Sequence, residues 1–402
     1  MKIKPFCGLL PDKNHVKDIV SLPYDVISRE EAKKIIEKNK FSFLRITRSD
    51  AELDGVSEYS DIVYKKAKEN LNYFIEQKFL TKDKESFYLL SQTVDRKTQN
   101  GFYALFNCID YENGLIKRHE LTRKDKEEDR TRHIMEVGAD TGPVFLFFKS
   151  KEGYNEIVSD IKRNSPDYSF IDENGVLNEL WKVNDIDRVV NFFKNIPSFY
   201  IADGHHRAAS AVNVWRRMNK PEDSPYSYFF GVVFPSNELS IYPYNRVVKD
   251  LNGLSKEIFF EKVKENFSVE KKDVEGLSKG EIGMYIDGET FVLKFKHNAK
   301  LNTPIEKLDV SILQNYLLSP ILGIDDPRTS ERIYFIGGKN AISIQKSHVD
   351  KGNGVVAFFL HPVLITELIE ISDRNEIMPP KSTWFEPKLK DGLVTYMFDI
   401  EK

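Results

Sequence analysis

Phe199-Tyr200-Ile201-Ala202-Asp203-Gly204-His205-His206-Arg207-Ala208-Ala209 is the stretch on which the reading of this chain turns. Four apolar residues read as the end of a buried strand, and Ala208 to Met218 carries helical character. The polar residues between them therefore sit at a strand-to-helix junction. The first N–H groups of a helix have no intrahelical partner and point outward with the positive end of the dipole. Gly204 leaves room for a ligand to approach the backbone, while His205, His206 and Arg207 crowd donors around the same point. Such a turn is an anion site, most naturally for phosphate. Asp203 could hold a Mg²⁺ bridging those phosphates, or accept a proton from a hydroxyl. The plain alternative is that Asp203 caps the helix and the histidines make core hydrogen bonds. Capping explains one of the five residues and leaves the cluster unexplained.

Outward from this turn, helical and strand periodicities alternate, which predicts a mixed α/β protein. Ser28 and Glu31 form a capping-box signature for a helix through Ile36. Tyr59, Ile62, Val63, Leu71, Phe74 and Ile75 mark the apolar face of a second. The runs Phe87 to Val94 and Phe102 to Tyr111 predict two strands, with Asn100-Gly101 as the turn between them. Lys117 to His133 holds seven Lys/Arg and five Asp/Glu and reads as a solvated helix face opening on Arg118-His119-Glu120. Gly142-Pro143 precedes a strand at Val144 to Phe148, and Tyr228 to Phe234 supplies another. The polar stretch Lys249 to Gly253 is the candidate boundary. It gives a nucleotide-binding and catalytic domain over 1–250 and a C-terminal α/β domain over 251–402. The latter holds helices near Lys256 to Asn266, Asp309 to Leu318 and Val363 to Ile371, and a hairpin at Asp287-Gly288.

Composition narrows the class. Of the 402 residues, 30% are charged and 41% apolar, and the net charge is -3 from 59 basic and 62 acidic side chains. A protein that lives on bulk nucleic-acid affinity carries a basic excess, and this one has none. No apolar run approaches the roughly 18 residues of a membrane span, and residues 1–10 lack the apolar core of a signal peptide. Cys7 and Cys108 form no C-x-x-C and read as buried thiols in a reducing compartment. The expectation is a cytoplasmic protein without membrane or nucleic-acid partners, its oligomeric state left open. Walker, dinucleotide, G-x-S-x-G and H-E-x-x-H signatures are all absent.

Tyr200 to Arg207 resembles the signature of a widespread bacterial and archaeal family related to the ParB/sulfiredoxin-like superfamily. The resemblance extends through Leu22-Pro23-Tyr24-Asp25-Val26, Phe43-Leu44-Arg45, Arg118-His119-Glu120-Leu121-Thr122, Gly142-Pro143-Val144, Asn245-Arg246-Val247-Val248 and Met378-Pro379-Pro380-Lys381-Ser382-Thr383-Trp384-Phe385. It implies a ParB/sulfiredoxin-like nucleotide-binding core with a second α/β domain. The superfamily uses this strand–turn–helix for nucleoside phosphates: CTP in ParB, ATP in sulfiredoxin, ADP or ATP in free serine kinases. Sulfiredoxin chemistry needs a cysteine beside the turn, and ParB needs a basic DNA-binding face; neither is present. That leaves a small-molecule kinase passing a phosphoryl group from ATP or ADP to a hydroxyl. Free L-serine is the favoured acceptor and O-phosphoserine the product. The alternative is a ParB-type regulatory protein that switches on CTP or ATP and has a protein or DNA partner.

The roles implied are as follows. Gly204, His205, His206 and Arg207 hold the phosphates, and Asp203 takes Mg²⁺ or the hydroxyl. Glu120 is the base, with Asp203 and His205 completing the catalytic group. Asp25 meets the substrate ammonium, though Pro23-Tyr24-Asp25 can equally be a turn. Arg118, Arg246, Lys381, Ser382 and Thr383 are the remaining substrate contacts, the last three on a proline-stiffened loop at 378–388.

Overall fold

The most continuously apolar runs of the sequence become the centre of one sheet. In the computed structural model, which describes residues 1–398, Tyr228–Pro235 is buried from its second residue to its last. A strand covered on both faces needs apolar residues at every position rather than every second one. It pairs in parallel with Val144–Phe148, itself fully buried, and antiparallel with Lys97–Asn107. The path across this nine-stranded mixed sheet is Ile116–Lys117, Phe199–Asp203, Val144–Phe148, Tyr228–Pro235, Lys97–Asn107, Tyr88–Val94, Leu177–Lys182 and Tyr168–Ile171. Ile3–Lys4 joins it beside Lys97–Asn107.

The helix His205–Arg217 leaves this sheet directly from Phe199–Asp203. Its face of Ala208, Ala209, Ser210 and Ala211 is buried, and small side chains let it lie close against Lys124–Val137. Ser210 Oγ donates to the Glu127 carbonyl at 3.0 Å, and Asn213 Nδ2 to Glu127 Oε2 at 2.9 Å. The charged segment is thus helical only from Lys124, residues 118–123 being irregular, and the helix is not a purely solvated one: Asp129, Thr131 and His133 are buried in it.

The chain divides into two compact units. The first comprises Met1–Arg118, Thr122–Leu239 and the chain from Pro387 onward; the second, His119–Leu121 and Ser240–Glu386. This differs from a single boundary at residue 250. The strand Tyr244–Val248 pairs with Ile333–Gly337 and Val356–Leu360, so hydrogen bonding draws it into the later unit. Residues 395–397 pair with Gly8–Pro11 and Ala139–Asp140, which returns the C-terminal segment to the first unit. The second unit carries a six-stranded antiparallel sheet and the helices Lys256–Asn266, Asp309–Leu313, Ala341–Asp350 and Ile365–Asp373. It also holds the two-stranded pairing of Ser240–Tyr242 with Trp384–Glu386. Both units are mixed α/β.

Two local expectations need correction. The hairpin of Tyr88–Val94 with Lys97–Asn107 turns at Asp95-Arg96, not at Asn100-Gly101. Asp95 and Arg96 both take positive φ, 50° and 63°, the requirement of a type I′ turn. Gly101 lies inside the strand opposite Leu90, where a Cβ would come within 2.6 Å of the Phe234 ring. The glycine serves packing, not turning. Cys108 is buried as expected, whereas Cys7 is only partly so.

Gly101→Ala should therefore destabilise the protein by about 1–3 kcal/mol through overpacking. Replacing Asp95-Arg96 by Asn-Gly should stabilise it by about 1 kcal/mol by relieving two left-handed side-chain residues. Denaturant unfolding of the two variants checks both signs.

Candidate functional site

Between Ile201 and Asp203 the pairing with Val144–Phe148 slips by one residue, so the strand ends on a bulge at Ala202. A bulge re-aims the side chain that follows it, here Asp203. Gly204 then takes φ 88°, ψ 31°, a left-handed conformation that glycine adopts without strain, and the helix begins at His205. Asp203 does not cap that helix. Its Oδ1 accepts the N–H of Gly204 at 2.8 Å, and no side chain caps the helix N-terminus. Lys388 Nζ donates to the other oxygen, Oδ2, at 2.9 Å.

Arg207 turns back beneath its own turn. Its guanidinium packs where a Gly204 Cβ would stand, 3.4 Å from Cζ, and the side chain is 5% exposed. Nη1 donates to the Pro143 carbonyl, and Nη2 lies 3.3 and 3.4 Å from the two oxygens of Asp25. Gly142 is equally tight, with Arg207 Cδ and Asp391 Oδ1 each 3.3 Å from the position of an added Cβ. Asp391 is fully buried, and neither of its oxygens finds a hydrogen-bond partner, nor does Arg207 Nε. The blocks Tyr24-Asp25, Gly142-Pro143 and Asp203 to Arg207 thus converge on one guanidinium.

The electrostatics follow from this crowding. Burial alone would raise the Asp203 carboxyl, but the charges of Lys388 and Arg207, with the hydrogen bonds from Lys388 and Gly204, hold it well below the ordinary value. Burial works against the Arg207 charge, and Asp25, Asp203 and Asp391 outweigh it, so its affinity for the proton rises. Burial pushes the Asp391 carboxyl up to about 7 against the pull of Arg207. Asp140, whose Oδ2 accepts the Phe230 N–H at 3.2 Å, is likewise pushed up to about 7 by burial.

The expected site residues therefore divide. Asp25, Asp203, Gly204 and Arg207 are brought together, but Arg207 is engaged inward and Asp25 pairs with it, instead of either facing a ligand alone. His205 is buried at the first helical position. His206 Nε2 accepts the Arg123 backbone N–H at 3.0 Å, so that nitrogen anchors the neighbouring helix rather than donating to phosphate. Arg118 stacks on the Tyr111 ring at 5.6 Å and donates to its hydroxyl at 3.3 Å.

Glu120 lies in the second unit, as do Arg246, Lys381, Ser382 and Thr383. The neighbouring His119 ties this short run to the 378–386 loop: its carbonyl accepts the Met378 N–H at 2.8 Å, and Nε2 meets Thr383 Oγ1 at 3.4 Å. Arg246 is a clamp, but on backbone. Its guanidinium bonds the carbonyls of Tyr244, Pro380 and Lys381 and lies over the Phe335 ring. Ser382 Oγ donates to the Pro379 carbonyl at 2.6 Å, and Lys381 Nζ sits 5.1 Å from the centre of the Tyr244 ring.

Asp391 and Asp140 were not foreseen, and Lys388 only as the end of the 378–388 loop. Each sits in an ordinary-looking stretch, and only the fold carries them to the turn or its supports. Asp203, the residue expected to take Mg²⁺, meets the Gly204 N–H through one oxygen and the Lys388 ammonium through the other. Among the described residues no group of three or more His, Cys, Asp or Glu side chains is placed to hold a metal.

A family model described as a protein of unknown function, DUF1015, matches residues 3–311. Solved structures similar to this chain include a conserved hypothetical protein from Pyrococcus furiosus, 15% identical with a TM-score of 0.37, covering 72% of this chain and 93% of that one. A free serine kinase in complex with AMP is 16% identical with a TM-score of 0.39, covering 72% and 92%. SbnI with C-terminal truncation from Staphylococcus aureus is 10% identical with a TM-score of 0.39, covering 72% and 85%. No curated protein matches the chain. No helix among the described residues is long and apolar enough to cross a membrane.

Arg207→Met should cost about 1–3 kcal/mol of stability, chiefly because the Pro143 carbonyl loses its charged donor while the half-exposed Asp25 remains solvated; thermal unfolding reads this. Asp391 and Asp140 give a pH signature. Their folded values, about 7, lie above the unfolded value near 4. Their stabilisation is complete below pH 4 and is lost as pH rises to 7, at about 1.4 kcal/mol per unit for each group. Asp391→Asn should consequently gain stability over the parent at pH 8 and lose that advantage at pH 4.5, measured by denaturant unfolding at the two values.

Proposed function

This chain belongs to the DUF1015 family of proteins of unknown function, and we propose that it is a cytoplasmic small-molecule kinase with ATP or ADP as phosphoryl donor. The favoured acceptor is free L-serine, giving O-phosphoserine, and the ParB/sulfiredoxin-like ancestry of the core is part of the same reading. One observation carries it: the helix His205–Arg217 opens on a left-handed glycine with no side-chain cap, flanked by Asp203 and the Lys388 ammonium. A helix N-terminus that opens on a left-handed glycine beside a fixed cation is an arrangement from which phosphate sites are made.

In the reaction the acceptor oxygen attacks the terminal phosphorus and the bond to the bridging oxygen breaks. The leaving electron pair departs on AMP or ADP, and the hydroxyl proton passes to a carboxylate. Glu120 keeps the role its motif implies, the base for that proton. His205, Gly204 and the helix N-terminus are assigned to the phosphates, with Asp203 toward the hydroxyl. Phosphoryl transfer asks chiefly for positioning and charge neutralisation. Mg²⁺ enters this reading as the counter-ion of the nucleotide, and no side chain is assigned to it.

Incubation of the protein with a metabolite pool, ATP or ADP and Mg²⁺, followed by mass spectrometry, should yield a phosphorylated hydroxyl compound, with phosphoserine foremost. Slow nucleotide hydrolysis without such a product would instead indicate a nucleotide-switched regulator. For the base, Glu120→Gln should lower kcat by about 10²–10⁴ with KM little changed.

A further inference from the structure

Ile333–Gly337 is the last strand on one side of the second unit's six-stranded sheet, and among the described residues Tyr244–Val248 is its one strand partner. It reads Ile-Tyr-Phe-Ile-Gly, with β-branched and aromatic residues that suit a sheet. It has no charge, no proline and no slip in its pairing. Edge strands of soluble proteins carry such devices because an open row of N–H and C=O groups templates pairing with another chain. The opposite edge of the same sheet, Phe267–Lys271, does carry them: Glu270 and Lys271 close it, and Lys271 pairs with Glu289 at 2.6 Å. On Ile333–Gly337, Tyr334 to Gly337 are partly exposed.

The register settles which backbone groups are open. The Lys249 N–H donates to the Arg332 carbonyl at 2.9 Å, so Lys249 and Arg332 form a hydrogen-bonded pair at the head of the ladder. Such pairs recur at every second residue of an antiparallel ladder, which turns the backbone of Tyr334 and Ile336 toward Tyr244–Val248. Ile333, Phe335 and Gly337 direct their N–H and C=O groups the other way, where no strand or loop among the described residues takes them up. The side chains of Tyr334 and Ile336 pack with Ile342 and Val349 of the helix Ala341–Asp350. Phe335 is on the opposite face, its ring 5.3 Å from the Arg246 guanidinium.

We propose that this edge is a self-association surface, on which a second copy of the chain adds its own Ile333–Gly337 strand in antiparallel sense. Laid fully over itself in that sense, a five-residue strand is centred on its middle residue, Phe335. That centre is an open residue, so Phe335 meets its symmetry mate and Ile333 meets Gly337 on both sides. Every open backbone group of both strands is then bonded. The same register brings the Glu331 end of one strand to the Lys339 end of the other, the Arg332 charge being met already by Asp250 at 2.9 Å. A two-fold pairing covers both edges at once and runs the six strands of one copy on into the six of the other. An extended peptide of foreign sequence would lack this match of centre and ends.

The test is sedimentation equilibrium of the full chain together with amide hydrogen exchange at low and high protein concentration. The parent should dimerise as concentration rises. Exchange at Ile333, Phe335 and Gly337 should slow by about tenfold or more as dimer forms. Tyr334 and Ile336, already bonded within the sheet, and the opposite edge Phe267–Lys271 should change little. Phe335→Glu sets two carboxylates across the two-fold centre while placing one beside Arg246 in its own chain. It should keep its thermal unfolding temperature and weaken the dimer about tenfold or more. A parent that stays monomeric at every concentration overturns the proposal, as does a dimer with unchanged exchange at the three open amides, a result that needs no variant. A folded Phe335→Glu with the parent's dimer affinity overturns it as well.

Discussion

A guanidinium cannot shed its proton under any condition a protein survives, and burying one obliges the fold to build around it. Arg207 imposes that demand on the first unit. Its charge is met by Asp25, by the Pro143 carbonyl and by the nearby Asp203 and Asp391 carboxyls. Gly142 leaves it room that an added Cβ would crowd at 3.3 Å, and Gly204 is required by its left-handed φ of 88°. Four segments distant in sequence are locked by this one side chain. Breaking one partner of a buried ion pair costs far more than a surface pair contributes, so the turn at 203–207 has little freedom to drift.

This places the motif blocks in a different light from their usual interpretation. Asp25 and Gly142-Pro143 meet Arg207 directly, and their residue types are explained by the packing and charge needs of that arginine. A block of sequence can therefore mark a functional site without contacting the ligand. Beside that arginine, partly exposed, lie the Asp203 carboxylate and the Lys388 ammonium, paired at 2.9 Å. The rigid part and the chemically exposed part are adjacent but distinct.

The sequence made some of this legible and concealed the rest for definite reasons. The strand–turn–helix at 199–217 was readable because apolar period, glycine and polar cluster all agree there. The Ser28–Glu31 capping box was readable because its hydrogen bonds span only three residues. The turn at Asp95-Arg96 was missed because Arg96 is not a typical left-handed residue, while Asn100-Gly101 offered a stronger but misleading signal. The inward engagement of Arg207 was invisible, since its partners lie 64 and 182 residues away. The place of Lys388 at the turn was overlooked for the same reason: its pairing with Asp203 spans 185 residues, and no local pattern distinguishes it from any other lysine.

The return of residues from Pro387 onward to the first unit also has a temporal meaning. A ribosome releases a chain in order, and domains tend to fold as their residues emerge. The first unit cannot do so in one step, because Lys388, Asp391 and the strand Thr395–Met397 arrive only after every residue of the second unit has been made. Until then the nascent sheet Gly8–Pro11 lacks a neighbour and Asp203 lacks its cation. A chain halted before Pro387 would hold most of the first unit's strands and the turn itself, but not the lysine that pairs with Asp203 nor the aspartate packed against Gly142.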